Sequence, residues 1–195
     1  MIITKDEIVR LEIIAKAQQL FQQFGLKKTT MDDIAAACGK GKSTLYYYFK
    51  SKEEVFDAVI KKELVTLRTI VKQKVDEQKT IQDKLAVYFR VFHLEVLNKV
   101  NLYRIVKLEI FKDASMEFHF DEVMDFEKNY LIRLFEDGAD AGQFHKVEKK
   151  DIPWFSEILI AAFLGIVRYS IESDNGFNQE KLEKATDLLL PSLFA

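Results

Sequence analysis

The chain has 195 residues, of which 48% are apolar, with seven glycines, two prolines and one cysteine. It is long enough for one large domain or a small one joined to a larger one, and a single cysteine excludes an internal disulfide framework and suits a reducing cytoplasm, the expected location. No apolar run approaches the roughly 18 to 20 residues of a membrane span, and the N-terminus MIITKDEIVR is charged too soon for a signal peptide. Net charge is −2, but residues 1 to 52 hold nine Lys/Arg and five Asp/Glu, a balance of +4, while the remainder holds 20 and 26, a balance of −6. A basic head on an acidic body is the footprint of a protein that meets nucleic acid at one end.

The segments between glycines and prolines repeat at helical period, which predicts an all-α protein of about nine helices. The first runs from near Lys5 to Phe24, with Ile13, Ala17, Leu20, Phe21 and Phe24 as its buried stripe and Gly25–Leu26 as a Schellman ending. Thr30 caps the second, with Asp33 three residues on as the reciprocal half of a capping box. Met31, Ile34, Ala35 and Cys38 fall at i, i+3, i+4 and i+7 on one face, and Gly39 stops that helix. The third covers about 42 to 48, with Leu45 and Phe49 one turn apart. Ser51 caps the fourth, which Phe56, Ile60, Leu64, Leu67 and Val71 carry to about Lys74. Thr80 opens a helix to about Asn98, and a shorter one covers roughly 101 to 112. Another runs from about Ser115 to Ala141 and ends at Gly142. Asp151 caps the next, with Pro153 in its first turn, and Asn178 caps the last, which ends near Pro191.

The second and third helices have helix-turn-helix spacing, with a small residue at the turn and apolar residues that lock the pair together. The second member of such a pair presents its N-terminal end to the major groove of DNA. Lys42 can donate to guanine O6 or N7, and Ser43 can donate or accept. Thr44, Tyr46, Tyr47 and Tyr48 follow; tyrosine hydroxyls bond phosphate oxygens, and their rings can touch a thymine methyl or a sugar. Successive helical residues turn about 100°, so three tyrosines in a row cannot all be core. Lys52 at the start of the fourth helix and Thr30 at the start of the second suit phosphate contacts. Gly41-Lys42-Ser43 imitates the end of a phosphate-binding P-loop, but Ala36 stands where that motif needs glycine, and a helix precedes it where the motif needs a strand.

These residues resemble the tetracycline-repressor (TetR) family of bacterial regulators. The family pattern of threonines before the second helix, I-A-x-x-A-G, T-L-Y-Y-x-F and K-S-K-E-E is met by Thr29-Thr30, Ile34-Ala35, Gly39, Thr44 to Phe49 and Lys50 to Glu54. The resemblance covers about residues 10 to 56. It implies a helix-turn-helix DNA-binding domain over residues 1–50 and a helical ligand-binding and dimerisation domain over 51–195. It further implies a homodimer on a palindromic double-stranded operator, released by a small apolar or amphipathic ligand, with no membrane partner, no cofactor and no enzymatic activity. Residues matching the family's DNA contacts are Thr30, Lys42, Ser43, Thr44, Tyr46, Tyr47, Tyr48 and Lys52. Two positions depart from the pattern. Lys40 stands where an apolar residue is usual, and is expected to bury its stem and point its amine at the DNA. Gly41 stands where serine or threonine caps the third helix, as a weaker cap.

By the same resemblance the ligand pocket lies between the fourth and eighth helices, and Phe89, His93, Phe111 and Phe126 are the candidates for its wall in a chain with sixteen phenylalanines. His93, His119 and His145 have no metal-ligand spacing, so no metal site is expected. Ile158, Ala161, Ala162, Gly165, Ile166 and Tyr169 share one helical face, and Leu182, Ala185, Leu188 and Leu189 another. Both suit a two-fold interface of four helices, whereas in a monomer both would be core. An alternative function is a helical small-molecule binding protein whose head has lost operator recognition, with Lys40 and Gly41 as its support. If the head reads DNA, its affinity must fall steeply with salt, because each phosphate contact releases a counterion. Fluorescence anisotropy between low and physiological salt measures this, and an affinity indifferent to salt removes the phosphate contacts.

Overall fold

The computed structural model describes residues 4–98, 120–144, 147–172 and 179–191, and these hold eight α-helices and one 3-10 turn. They are α1 (Lys5–Phe24), α2 (Met31–Ala37), α3 (Lys42–Tyr48), α4 (Lys52–Asp76), α5 (Ile81–Asn98), α6 (Phe120–Asp140), the 3-10 turn Lys149–Asp151, α7 (Ile152–Glu172) and α8 (Gln179–Leu189). The helix expected over 101 to 112, residues 115 to 119 and the expected cap Asn178 lie outside the described residues. No described helix is long and apolar enough to cross a membrane.

The chain divides into two compact units, with residues up to Thr66 in the first and Leu67 onward, among the described residues, in the second. In the first, α1, α2, α3 and the start of α4 enclose one apolar core. Ile13, Ala17 and Phe21 of α1, Ile34 of α2, Leu45 of α3, Phe49, and Val55, Phe56 and Val59 of α4 are wholly buried. Phe21 and Phe56 meet edge to face at 5.1 Å, and full burial of a ring of this size contributes about 1.5 to 3 kcal/mol. Local chemistry sets the helix starts. Thr4 and Glu7 form a capping box on α1, and Thr30 and Asp33 form one on α2. Ser51 Oγ accepts from the Glu54 N–H at 3.2 Å while the Glu54 carboxylate accepts from the Lys50 N–H. The bonds from Thr30 hold the Asp33 carboxyl below its ordinary range.

Two expectations for α1 are corrected. Phe24 does not join the stripe but is 49% exposed, because the stripe turns inward through Ile14 instead and the core closes at Phe21. Gly25 does not make a Schellman ending: its φ of 83° is paired with a ψ of 165°, so the chain leaves the helix extended, and Thr29 Oγ1 donates to the Gly25 carbonyl at 2.8 Å. The Schellman geometry occurs at Gly39 instead. There φ is 63°, Gly39 N–H donates to Ala36 O, and Lys40 N–H donates to Ala35 O, both at 3.0 Å.

In the second unit α5 packs against α6, α7 and α8, and α6 against α7. Leu85 and Tyr88 of α5, Leu131 and Phe135 of α6, and Ile152 and Ile160 of α7 are wholly buried. Gly142 (φ 65°) ends α6 in a second Schellman turn, with Gln143 N–H on Gly138 O and Gly142 N–H on Ala139 O. That turn sends Gln143 Oε1 to accept from the first N–H of α5, at Ile81, 3.1 Å away. It also lays Phe144 on Gly138, where a Cβ would stand 2.4 Å from the ring. Asp151, expected as a cap, lies in the 3-10 turn before α7, and its carboxylate accepts from the Trp154 indole N–H at 3.0 Å.

Gly39 has open space around a would-be Cβ, so its requirement is conformational alone. Gly39→Ala should cost about 1 to 2 kcal/mol, the strain of a side chain in the left-handed region, and Gly39→Asn less. Urea denaturation checks this, and an alanine variant as stable as the parent would remove the turn from the fold's requirements.

Candidate nucleic-acid interface

The seven residues of α3 carry two kinds of side chain. Leu45 is wholly buried, and Phe49 just past its end is too, with the Arg10 guanidinium over its ring at 4.9 Å. Lys42, Ser43, Thr44, Tyr46 and Tyr47 are exposed, the last by 69%. Anchors and outward groups alternate around a single pair of turns, so the buried side fixes which side chains face solvent. Gly41 is the N-cap, in extended geometry (φ −67°, ψ 150°), without a side-chain bond. Its carbonyl accepts from Thr44 and Leu45. Both departures from the family pattern therefore leave the turn and the third helix intact.

Four of the polar groups expected to face DNA already have partners within the protein. The Thr30 hydroxyl accepts from Asp33 N–H at 3.1 Å and donates to the Asp33 carboxylate at 2.7 Å. Lys42 Nζ lies 2.9 Å from Asp32 Oδ1 on α2. Tyr48 is half-buried; its ring meets Tyr47 edge to face at 4.9 Å, and its hydroxyl donates to Asp6 Oδ1 of α1 at 2.9 Å, a bond that raises its pKa above the ordinary tyrosine value. Lys52 Nζ donates to the Leu26 carbonyl at 2.9 Å, tying the start of α4 to the loop after α1. Lys40 does not point its amine outward as expected. Its stem is buried, but the ammonium pairs with Glu12 of α1 at 3.0 Å. Asp6, Glu12 and Asp32 went unnoticed as partners in the sequence because they lie 42, 28 and 10 residues from the groups they hold.

The residues expected around a ligand divide differently. Phe89 and His93 are buried one turn apart on α5, with the Phe163 ring 4.9 Å from Phe89 and 5.4 Å from Phe92. Phe126 is 45% exposed, with the Arg68 guanidinium 3.7 Å above its ring. Phe111 lies outside the described residues. Beside this aromatic group, Glu127, only 3% exposed, accepts from Arg68 Nε at 3.0 Å and from the Tyr88 hydroxyl at 2.8 Å. Burial first, then the Glu127 charge, pushes the Tyr88 hydroxyl well above its ordinary range, and burial pushes that of Tyr130 up to about 12.

On α7, Ile158 and Tyr169 are more than half exposed, and Ala161, Ala162 and Gly165 are exposed too, with Ile166 half-buried. Trp154, 51% exposed, continues this stripe one turn toward the N-terminus. On α8, Leu188 and Leu189 are exposed and Ala185 half-buried, whereas Leu182 is buried in its own chain.

Comparison with known proteins places this geometry. The sequence profile of the bacterial regulatory proteins of the tetR family matches residues 13–59. An HTH-type transcriptional regulator of Bacillus subtilis is 46% identical over 65 residues, 33% of this chain and 32% of that protein, so the chain spans about a third of the length of this relative. An HTH-type transcriptional regulator of Staphylococcus aureus is 31% identical over 133 residues, covering 64% of this chain and 71% of its own length. A crystal structure of a transcriptional regulator from Cytophaga hutchinsonii superposes with a TM-score of 0.72 at 26% identity, covering 94% of this chain and 97% of the other. With the profile lying on the helix-turn-helix and the likeness extending through the second unit, the chain belongs to the tetR family of bacterial regulatory proteins.

Proposed function

We propose that this TetR-family regulator works as a homodimeric repressor that inserts α3 into the major groove of a palindromic operator and leaves it when a small apolar or amphipathic ligand binds. The observation that carries the reading is the outward face of α3: Lys42, Ser43, Thr44, Tyr46 and Tyr47 are exposed while Leu45 and Phe49 anchor the helix from beneath. Lys42 and Ser43 read base edges. Thr44, Tyr46, Tyr47 and Tyr48 contact backbone and sugar, and Lys52 and Thr30 hold phosphates. The Lys52 ammonium keeps donors beyond the one given to Leu26 O. The ligand occupies the second unit beside Phe89, His93 and Phe126, where an aromatic interior adjoins the buried Glu127.

Mobility shift with duplexes enriched from a random pool tests the DNA reading, and two substitutions separate its parts. Lys42→Ala should cost about 1 to 3 kcal/mol on the cognate duplex and relax sequence preference. Lys52→Ala should weaken cognate and scrambled duplexes about equally. Identical behaviour of the two variants on both duplexes would refute the division into reading and anchoring.

Two reading helices must meet successive grooves about 34 Å apart, or a multiple of it, so the protein acts as a two-fold pair. The exposed face of Ala161, Ala162 and Gly165 supports placing the contact on α7, with Ile158, Ile166 and Tyr169 beside it and Ala185, Leu188 and Leu189 of α8 adjoining. Leu182, buried in its own chain, supports that interface from beneath. Ala162→Glu puts two like charges near the axis, where desolvation makes them costly. Because Ala162 is exposed in the single chain, the variant should fold, dissociate in analytical ultracentrifugation, and lose operator affinity with its dimer. A variant that stays dimeric and binds normally moves the interface elsewhere.

A further inference from the structure

Lys42 is the first residue of α3, and Asp32 stands in the first turn of α2. The ammonium lies 2.9 Å from Oδ1 and 3.0 Å from Oδ2, so both carboxylate oxygens are engaged, yet the two side chains are 61% and 64% exposed. Helix capping does not account for Asp32, since the capping carboxylate of α2 is Asp33. Stability accounts for little of it either, because an exposed ion pair is worth almost nothing to the fold. The neighbouring Lys40–Glu12 pair has its lysine largely buried, so it ties the turn to α1. The Asp32–Lys42 pair alone of these two stands mostly in solvent, on the residue that begins the recognition helix.

Resting on the reading of α3 as the helix that enters the groove, we propose that Asp32 is a specificity-determining residue of the DNA interface, holding Lys42 as an oriented donor and withholding its charge from phosphates. An ammonium has three N–H donors, and its hydrogen bond to the carboxylate, made to Asp32 Oδ2, uses one. The others remain for a base-edge acceptor, which can take one without dismantling the pair. A phosphate oxygen, by contrast, carries a charge that Asp32 repels, and it gains Lys42 fully only by displacing the carboxylate. Non-specific binding rests on phosphate contacts, so the carboxylate weakens it more than it weakens the cognate complex.

The test is fluorescence anisotropy of the full chain on two duplexes, one enriched by the wild-type protein from a random pool and one scrambled, across a salt series. D32N should tighten binding to the scrambled duplex by about 1.4-fold to fivefold, the fold-change that an exposed ion pair converts to, and should change the cognate duplex by less. The salt slope on scrambled DNA should steepen by about one, the mark of one added phosphate contact. D32E, which keeps the charge, should restore discrimination, and D32N should have no such effect in a Lys42→Ala background. Unchanged discrimination in D32N, or the same change with and without Lys42, overturns the role of Asp32. A wild-type protein that enriches no sequence and binds both duplexes alike overturns the DNA reading itself, and the proposal with it.

Discussion

A helix of seven residues cannot hold itself together in water: its nucleation cost exceeds what one or two turns of hydrogen bonds return. The recognition helix therefore exists because Leu45 and Phe49 are driven into the core built by α1, α2 and α4. The same two anchors fix its rotation about its own axis. Every outward side chain from Lys42 to Tyr47 takes its direction from that burial. The Schellman turn at Gly39 sets the other coordinate, the position at which α3 begins after α2, and it does so through two backbone bonds that need a positive φ. An interface for a rigid duplex requires such a platform, since contacts made by a helix free to roll would cost ordering entropy at each binding event.

Charge in the head is handled locally as well as globally. The excess of basic residues produces a long-range field favourable to DNA. At close range, however, Lys42 and Lys40 each sit on a carboxylate of a neighbouring helix, and Tyr48 gives its hydroxyl to Asp6. On the proposed reading, forming a DNA complex is then an exchange of partners for Lys42 and Tyr48 rather than the recruitment of free charges. Exchange reactions of this kind contribute less raw affinity and more discrimination, because only a correctly placed acceptor replaces what is given up.

The second unit uses its polar atoms in another way. Glu127 is buried, and a lone carboxylate there would be costly. It is balanced by Arg68 on one oxygen and Tyr88 on the other. This arrangement joins α4, α5 and α6 at one point within an otherwise aromatic interior, and directional bonds of this kind select one packing among several that apolar contact alone would allow. The exposed apolar stripe on α7, from Trp154 to Tyr169, has the opposite character. Its small central residues present nearly bare backbone, a surface suited to close approach by another helix.

Most of the helices were legible in the residues because their determinants are local. Thr30 with Asp33 and Ser51 with Glu54 each lie three residues apart, and the caps they predict are the caps observed. The turn at Gly39 and the anchors Leu45 and Phe49 were equally plain, since a positive φ and a 3.6-residue period leave direct marks on sequence. What escaped depends on residues far apart in the chain. Phe24 continues an apolar period yet faces solvent, because the core is already closed at Phe21 by Phe56. Leu182 and Leu189 occupy the same amphipathic helix, and only packing against α5 makes the first interior and leaves the second outside. Lys40 could not be assigned to Glu12, nor Tyr48 to Asp6, from spacing, because a charge or hydroxyl bonds whatever group folding brings within 3 Å. Periodicity and capping thus determined the elements and their order, whereas the partner of each exposed polar side chain was decided by how α1, α2 and α3 cross.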